Sequence, residues 1–127
     1  MNKVPASFYM MGTLFAICGM IWGIYMSATH DHILSPAHGH LNLIGFVTMF
    51  IFGTYYALTP SAANSNLAKI HLGLAVLSVV TITPGIAFAL TGQTEVLAKI
   101  GSLLTLLAML LFGFIIFKHG VGQKQTS

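Results

Sequence analysis

Four apolar stretches, Phe8 to Ala28, Leu41 to Leu58, Leu67 to Leu90 and Val96 to Phe117, take up nearly the whole chain, and short polar segments separate them. Each is close to the about 20 helical residues that cross a bilayer. The pattern predicts an all-α membrane protein, a four-transmembrane-helix bundle over about 8–28, 37–58, 67–90 and 96–117, forming one domain from 1 to 127.

The polar segments punctuate this pattern. Thr29 to Gly39 carries Pro36, and Ser35-Pro36 reads as the cap and first residue of the second helix, which puts His38 and His40 in its opening turns. Thr59 to Asn66 is small, polar and short, a tight connection between antiparallel helices. Within the third stretch Pro84-Gly85 removes one backbone hydrogen bond and predicts a kink. Thr81 and Thr83 are placed to re-satisfy the freed carbonyl. Small residues recur on two stretches: Gly12, Ala16, Gly19 and Gly23 on the first, and Gly101, Thr105, Ala108 and Gly113 on the last. Apolar area gives little drive for association inside lipid, so close helix packing relies on such residues.

Composition strengthens the membrane assignment. Of 127 residues 56% are hydrophobic and only 6% charged, with a mean hydropathy of +0.87, whereas a soluble domain carries roughly a quarter charged residues. The first stretch, with Lys3 ahead of it, has the outline of a secretory signal. No small-residue cleavage pattern follows it, and it is read as a helix of the bundle. Cys18, the single cysteine, can form no internal disulfide and reads as a small packing residue.

The net charge of +3 comes from five lysines against Asp31 and Glu95, with no arginine. That is too thin for a nucleic-acid surface, but it is informative about topology. Lys3, Lys69, Lys118 and Lys124 fall on the side of the N-terminus, the second connection and the C-terminus, and Lys99 alone falls on the other. The positive-inside rule then places both termini in the cytoplasm. In a bacterial inner membrane the histidine-bearing connection faces the periplasm.

That connection is the chemical centre of the chain. His30, His32, His38 and His40 lie within eleven residues, out of six histidines in all. On a regular helix His38 and His40 point about 200° apart and cannot both ligate one metal. Asn42 and Gly45 follow on the second helix; Gly45 either leaves room for something flat against the backbone or serves plain helix packing. His71 starts the third helix from the opposite end of the bundle, roughly 20 Å from His40 along the membrane normal, so the two are not axial ligands of one haem in one subunit. His71 is read as a second ligand or as a structural or proton-handling residue, and His119 as a terminal anchor. Imidazole serves haem iron, copper and zinc. The few carboxylates disfavour calcium and magnesium, and no HExxH pattern, phosphate loop or serine elbow is present.

The run AHGHLNLIGF, continued by VTMFIFGTYYALTP and AKIHLG, resembles a segment of subunit I of the haem-copper oxidase superfamily, particularly cbb3-type oxidases and nitric oxide reductases. The resemblance covers residues 36 to 90. It implies a helix that begins on the outer side with a low-spin haem ligand, a role carried to His40 with His38 as the competing choice, and a cofactor of haem b type. Lys99, on the same side, is then the candidate for the propionates. Full oxidase subunits carry further helices with the second axial histidine and the copper histidines, and this chain has none of that material. The expectation is a cytochrome b-like membrane protein for electron transfer or for binding O2 or NO, with a respiratory-chain electron donor. A bundle this thin is expected to form a homo-oligomer, with ligands near subunit interfaces. Two other classes stay open: copper or zinc handling at the outer surface, which uses His30 and His32 as much as His40, and an accessory subunit of a larger respiratory complex.

Overall fold

The computed structural model describes residues 2–123, and Lys124 of the topological argument lies outside them. Four long helices run antiparallel in sequence order: α1, Val4–Thr29; α2, Ser35–Leu58; α4, Asn66–Leu90; and α5, Val96–His119. A single turn, α3, Pro60–Ala63, fills the connection that the sequence suggested was irregular. All four long helices are long and apolar enough to cross a membrane, and the fold is an all-α membrane-spanning bundle.

The helices extend past the apolar stretches where local chemistry allows. Pro5 sits in the first turn of α1, where its missing N–H costs nothing. Helix α4 is capped by Ser65, which accepts from the Ala68 amide at 3.3 Å. Helix α2 departs from expectation at its start: Ser35 is already helical, Leu34 is the flanking residue, and no side chain caps the end. Helix α1 ends on His30, whose φ of 57° turns the chain out of the helix.

Two pairs of helices make the bundle, and small residues set both. On α1, side chains of α2 occupy the space over Gly12, Gly19 and Gly23: a Cβ on Gly12 would meet Phe50 and Met49, one on Gly19 would overlap the Asn42 amide, and one on Gly23 would touch the His38 ring. Between α4 and α5 backbone meets backbone. A Cβ on Gly85 would lie 2.5 Å from the Ala98 nitrogen, and one on Gly101 would lie 2.6 Å from the Ile82 Cα. Gly113, by contrast, has open space around it despite its spacing, and Cys18, read as a small packing residue, is exposed on the outside of α1.

The hydroxyls near Pro84 also differ from expectation. Thr81 Oγ1 donates to the Leu77 carbonyl at 2.7 Å, three residues before Val80, whose carbonyl Pro84 leaves without its usual backbone donor. Thr83 Oγ1 is buried without a hydrogen-bond partner among the described residues. Helix α4 nonetheless continues through Pro84 to Leu90.

The N-terminus, α3 and the C-terminal end of α5 gather at one end of the bundle. Asn2 Nδ2 donates to the Ala63 carbonyl at 2.6 Å, Tyr55 donates to the Gly120 carbonyl at 2.7 Å, and the Gly122 amide donates to Thr59 Oγ1 at 2.9 Å. The histidine-bearing connection and the Thr91–Glu95 connection lie at the opposite end.

The α4–α5 contact leads to a paired expectation. Gly101→Val forces α5 off the α4 backbone and costs about 1–3 kcal/mol, whereas Gly113→Ala, facing open space, is neutral or slightly stabilising through helix propensity. Thermal unfolding of the two variants in one detergent measures the difference. Equal midpoints would show that the bundle does not depend on this contact.

Candidate functional site

The structure sorts the histidines by what each ring nitrogen touches. His38 turns inward to α1. Its Nε2 lies 2.9 Å from the Gly19 carbonyl, and because a carbonyl only accepts, that nitrogen carries the proton. Asn42 Nδ2 lies 3.2 Å from the same nitrogen, but an Nε2 that donates to Gly19 has no lone pair left to accept from it, so this is a contact and not a second hydrogen bond. Trp22 meets the His38 ring edge-on at 5.8 Å. His38 is therefore held by α1, and its Nε2 is spent.

His40 is the reverse case. Its Nδ1 lies 2.7 Å from the Pro36 carbonyl, one turn back in the same helix. The carbonyl again fixes the proton, here on Nδ1, so in the neutral ring the lone pair is on Nε2. Histidines that bind metals typically donate their other N–H to such an acceptor, which fixes both tautomer and ring orientation. His40 is half-buried near the start of α2, and its Nε2 has no hydrogen-bond partner among the described residues.

Directly after His40, α2 widens into a π-helix over Leu41–Val47. Thr48 Oγ1 donates to the Leu43 carbonyl at 2.8 Å, five residues back, and supports the wide turn. Such segments are uncommon and cluster at functional sites. Nothing in the sequence pattern announced it. Asn42 and Gly45 both face α1: Asn42 fills the hollow over Gly19, and Phe15 lies against Gly45, its Cβ 2.9 Å and its nearest ring carbon 3.0 Å from where a Cβ on the glycine would sit. The flat object over Gly45 is thus an aromatic side chain of α1.

His71 lies at the other end, fully buried. Phe112 of α5 stacks on its ring at 5.4 Å, Phe52 of α2 meets it edge-on at 4.5 Å, and Phe8 of α1 lies 5.5 Å away. Tyr56 shares a hydrogen bond with His71 Nδ1 at 2.8 Å. With Nδ1 accepting from the tyrosine, the ring proton is on Nε2, which faces the Ala108 backbone without a hydrogen bond of normal geometry. The site places His71 as a knot joining all four long helices.

The remaining candidates stay apart. His30 and His32 are exposed, and Asp31 is occupied locally, accepting from the Ile33 amide at 3.1 Å. Among the described residues no three of His, Cys, Asp and Glu come together as a metal-holding group, which leaves the copper or zinc reading without a ligand set in one chain. Lys99 pairs with Glu95 at 3.6 Å, both exposed, and turns to its own helix. His119, at the end of α5, has a buried Nε2 with no hydrogen-bond partner among the described residues.

Compared with protein-family models, curated proteins and solved structures, the chain matches none.

The Tyr56–His71 bond is open to a direct measurement. Tyr56→Phe leaves a buried imidazole nitrogen without its partner and costs about 1–3 kcal/mol. In a double-mutant cycle with His71→Leu, a coupling of about 1 kcal/mol is expected. Additive effects of the two substitutions would separate the residues energetically.

Proposed function

We propose that this protein is a membrane haem b protein in which His40 supplies an axial ligand through Nε2. The observation that carries the reading is the Nδ1 bond of His40 to the Pro36 carbonyl, which orients the ring and leaves Nε2 as the free lone pair. His38, two residues away, is disfavoured because its Nε2 is bonded to Gly19. The partial resemblance of residues 36 to 90 to haem-copper oxidase subunit I points to the same residue.

The internal space bears on where the group would sit. The cleft below His40 has a volume of about 100 Å³, well under the ~300–1,000 Å³ of pockets that enclose a drug-sized ligand. His40 would therefore hold a macrocycle at the surface of the bundle, and a second copy of the chain is the natural source of its cover and of a second histidine. A haem supplies one-electron chemistry there, or gas binding where one axial position is open. The chain's part is to fix the His40 tautomer, to hold the end of α2 against α1 through His38, and to keep the site at the water-facing end of the bundle, where a respiratory-chain donor can approach. On the lysine distribution that end is periplasmic, and the protein resides in the inner membrane as a homo-oligomer.

The test is the visible spectrum of the detergent-purified protein, oxidised and dithionite-reduced. A Soret band with sharp reduced alpha and beta bands is expected in the parent and in His38→Gln, whose amide N–H replaces Nε2–H toward Gly19. All three bands vanish in His40→Gly and return with added imidazole. A protein that takes up no haem, or bands unaffected by His40→Gly, would refute the assignment.

Orientation is checked separately. A fluorescent protein fused after Ser127 should fluoresce and alkaline phosphatase fused there should be inactive; the opposite pair of results would invert the topology.

A further inference from the structure

Helices α2 and α5 do not close on each other along their whole length. Beneath His40 they part, and α4 forms the back of a cleft of about 100 Å³. Leu43 and Ile44, three and four residues after His40, line it from α2 together with Phe52, while Ala75 lines it from α4 and Ala108 from α5. The exposed side chains of Leu43 and Met109 flank its mouth, which opens to the hydrocarbon of the bilayer.

We propose that this cleft is a binding site for a small apolar guest of the size of a diatomic gas, entering from the bilayer. Three hydroxyls border it, and each has already given its proton to its own helix. Ser78 donates to the Ala75 carbonyl at 2.7 Å, Thr105 to Gly101 at 2.8 Å, and Thr48 to Leu43 at 2.8 Å. A water in the cleft could donate to these oxygens, but these hydroxyls offer no donor to its lone pairs. Buried waters typically make about three hydrogen bonds, and apolar cavities stay dry. An engineered apolar cavity of about 150 Å³ takes up benzene or xenon, and a volume of about 100 Å³ suits the smaller of these guests. The end of a lipid chain could reach the mouth, but it must give up conformational freedom to enter. A diatomic molecule or a noble-gas atom has no such freedom to lose.

The inference stands on the cleft alone and does not require that His40 carries haem. Where both hold, the guest lies one helical turn from the proposed ligand, on the His40 face of α2.

Xenon is the probe. The full-length protein, with methyl-labelled alanine, isoleucine and leucine, is placed in lipid nanodiscs and followed by NMR as xenon pressure rises. Saturable shifts are expected at Ile44, Ala75 and Ala108, against small linear shifts at the outward-facing Ile24 and Leu103. Thr105→Leu fills the cleft from α5 and Ala75→Leu fills it from α4. Whichever of them folds loses the saturable shifts, while Thr105→Val, of equal size and without the hydroxyl, keeps them. Linear shifts at every methyl would mean partitioning into lipid only and would overturn the proposal. So would water cross-peaks at Ala75 and Ala108, or lipid-chain cross-peaks at the same methyls that xenon does not displace.

Discussion

The hydrogen bond between Tyr56 and His71, enclosed by Phe8, Phe52 and Phe112, is where α1, α2, α4 and α5 meet. In lipid the hydrophobic effect does not drive one apolar helix onto another, so specificity must come from close packing and from polar groups that have one good partner. A histidine nitrogen left unpaired in that medium is costly, and the bond to Tyr56 is available only when α2 and α4 are in register. The aromatic rings around it contribute area, and the bond selects the register. With α2 and α4 fixed at this depth, Phe112 brings α5 to the same layer and Phe8 brings α1.

Away from that knot the two helix pairs are built by different means. Helix α1 offers hollows over its glycines, which α2 fills with whole side chains, Phe50, Asn42 and His38 among them. Helices α4 and α5 approach until backbone touches backbone at Gly85 and Gly101. The first mode interposes side chains at the glycines, and the second leaves none between the two backbones there. Between α2 and α5, Phe52 and Phe112, 4.5 Å apart, close the space at the level of the knot, and the cleft that Phe52 borders lies on the His40 side of them. Cleft and knot thus share Phe52.

Much of this was legible in the sequence. The four spans were, because nothing but a bilayer accommodates such long uncharged runs. The glycine row on α1 was also legible as a packing face, since in lipid small residues have that use before any other. The similar row on α5 shows the limit: Gly101 packs, Gly113 does not, and spacing alone cannot say how far along a helix its neighbour stays close. His71 could be recognised as unusual but not as the partner of Tyr56, because the pair is fifteen residues apart on two helices whose relative depth depends on the bond itself. The π-helical turn of α2 was invisible, since it inserts no unusual residue; Thr48 in its support looks like any threonine in a membrane helix.

The divergence of His38 and His40 was readable from helix geometry, but which ring would face α1 was not. Two residues apart, the rings had to part company, and the hollow over Gly19 and Gly23 decided which turned inward. His38 lies over Gly23 and takes the Gly19 carbonyl, while Asn42, one turn on, fills the hollow over Gly19. His40, facing the other way, finds only the carbonyl of its own preceding turn, so its free nitrogen follows from the position of two glycines on a different helix. Within the wide turn that begins at Leu41, Asn42 and Gly45 face α1, while Leu43 and Ile44 line the cleft with residues of α4 and α5. Ligand-capable nitrogen and cleft come to share one face of α2 because the opposite face is committed to packing.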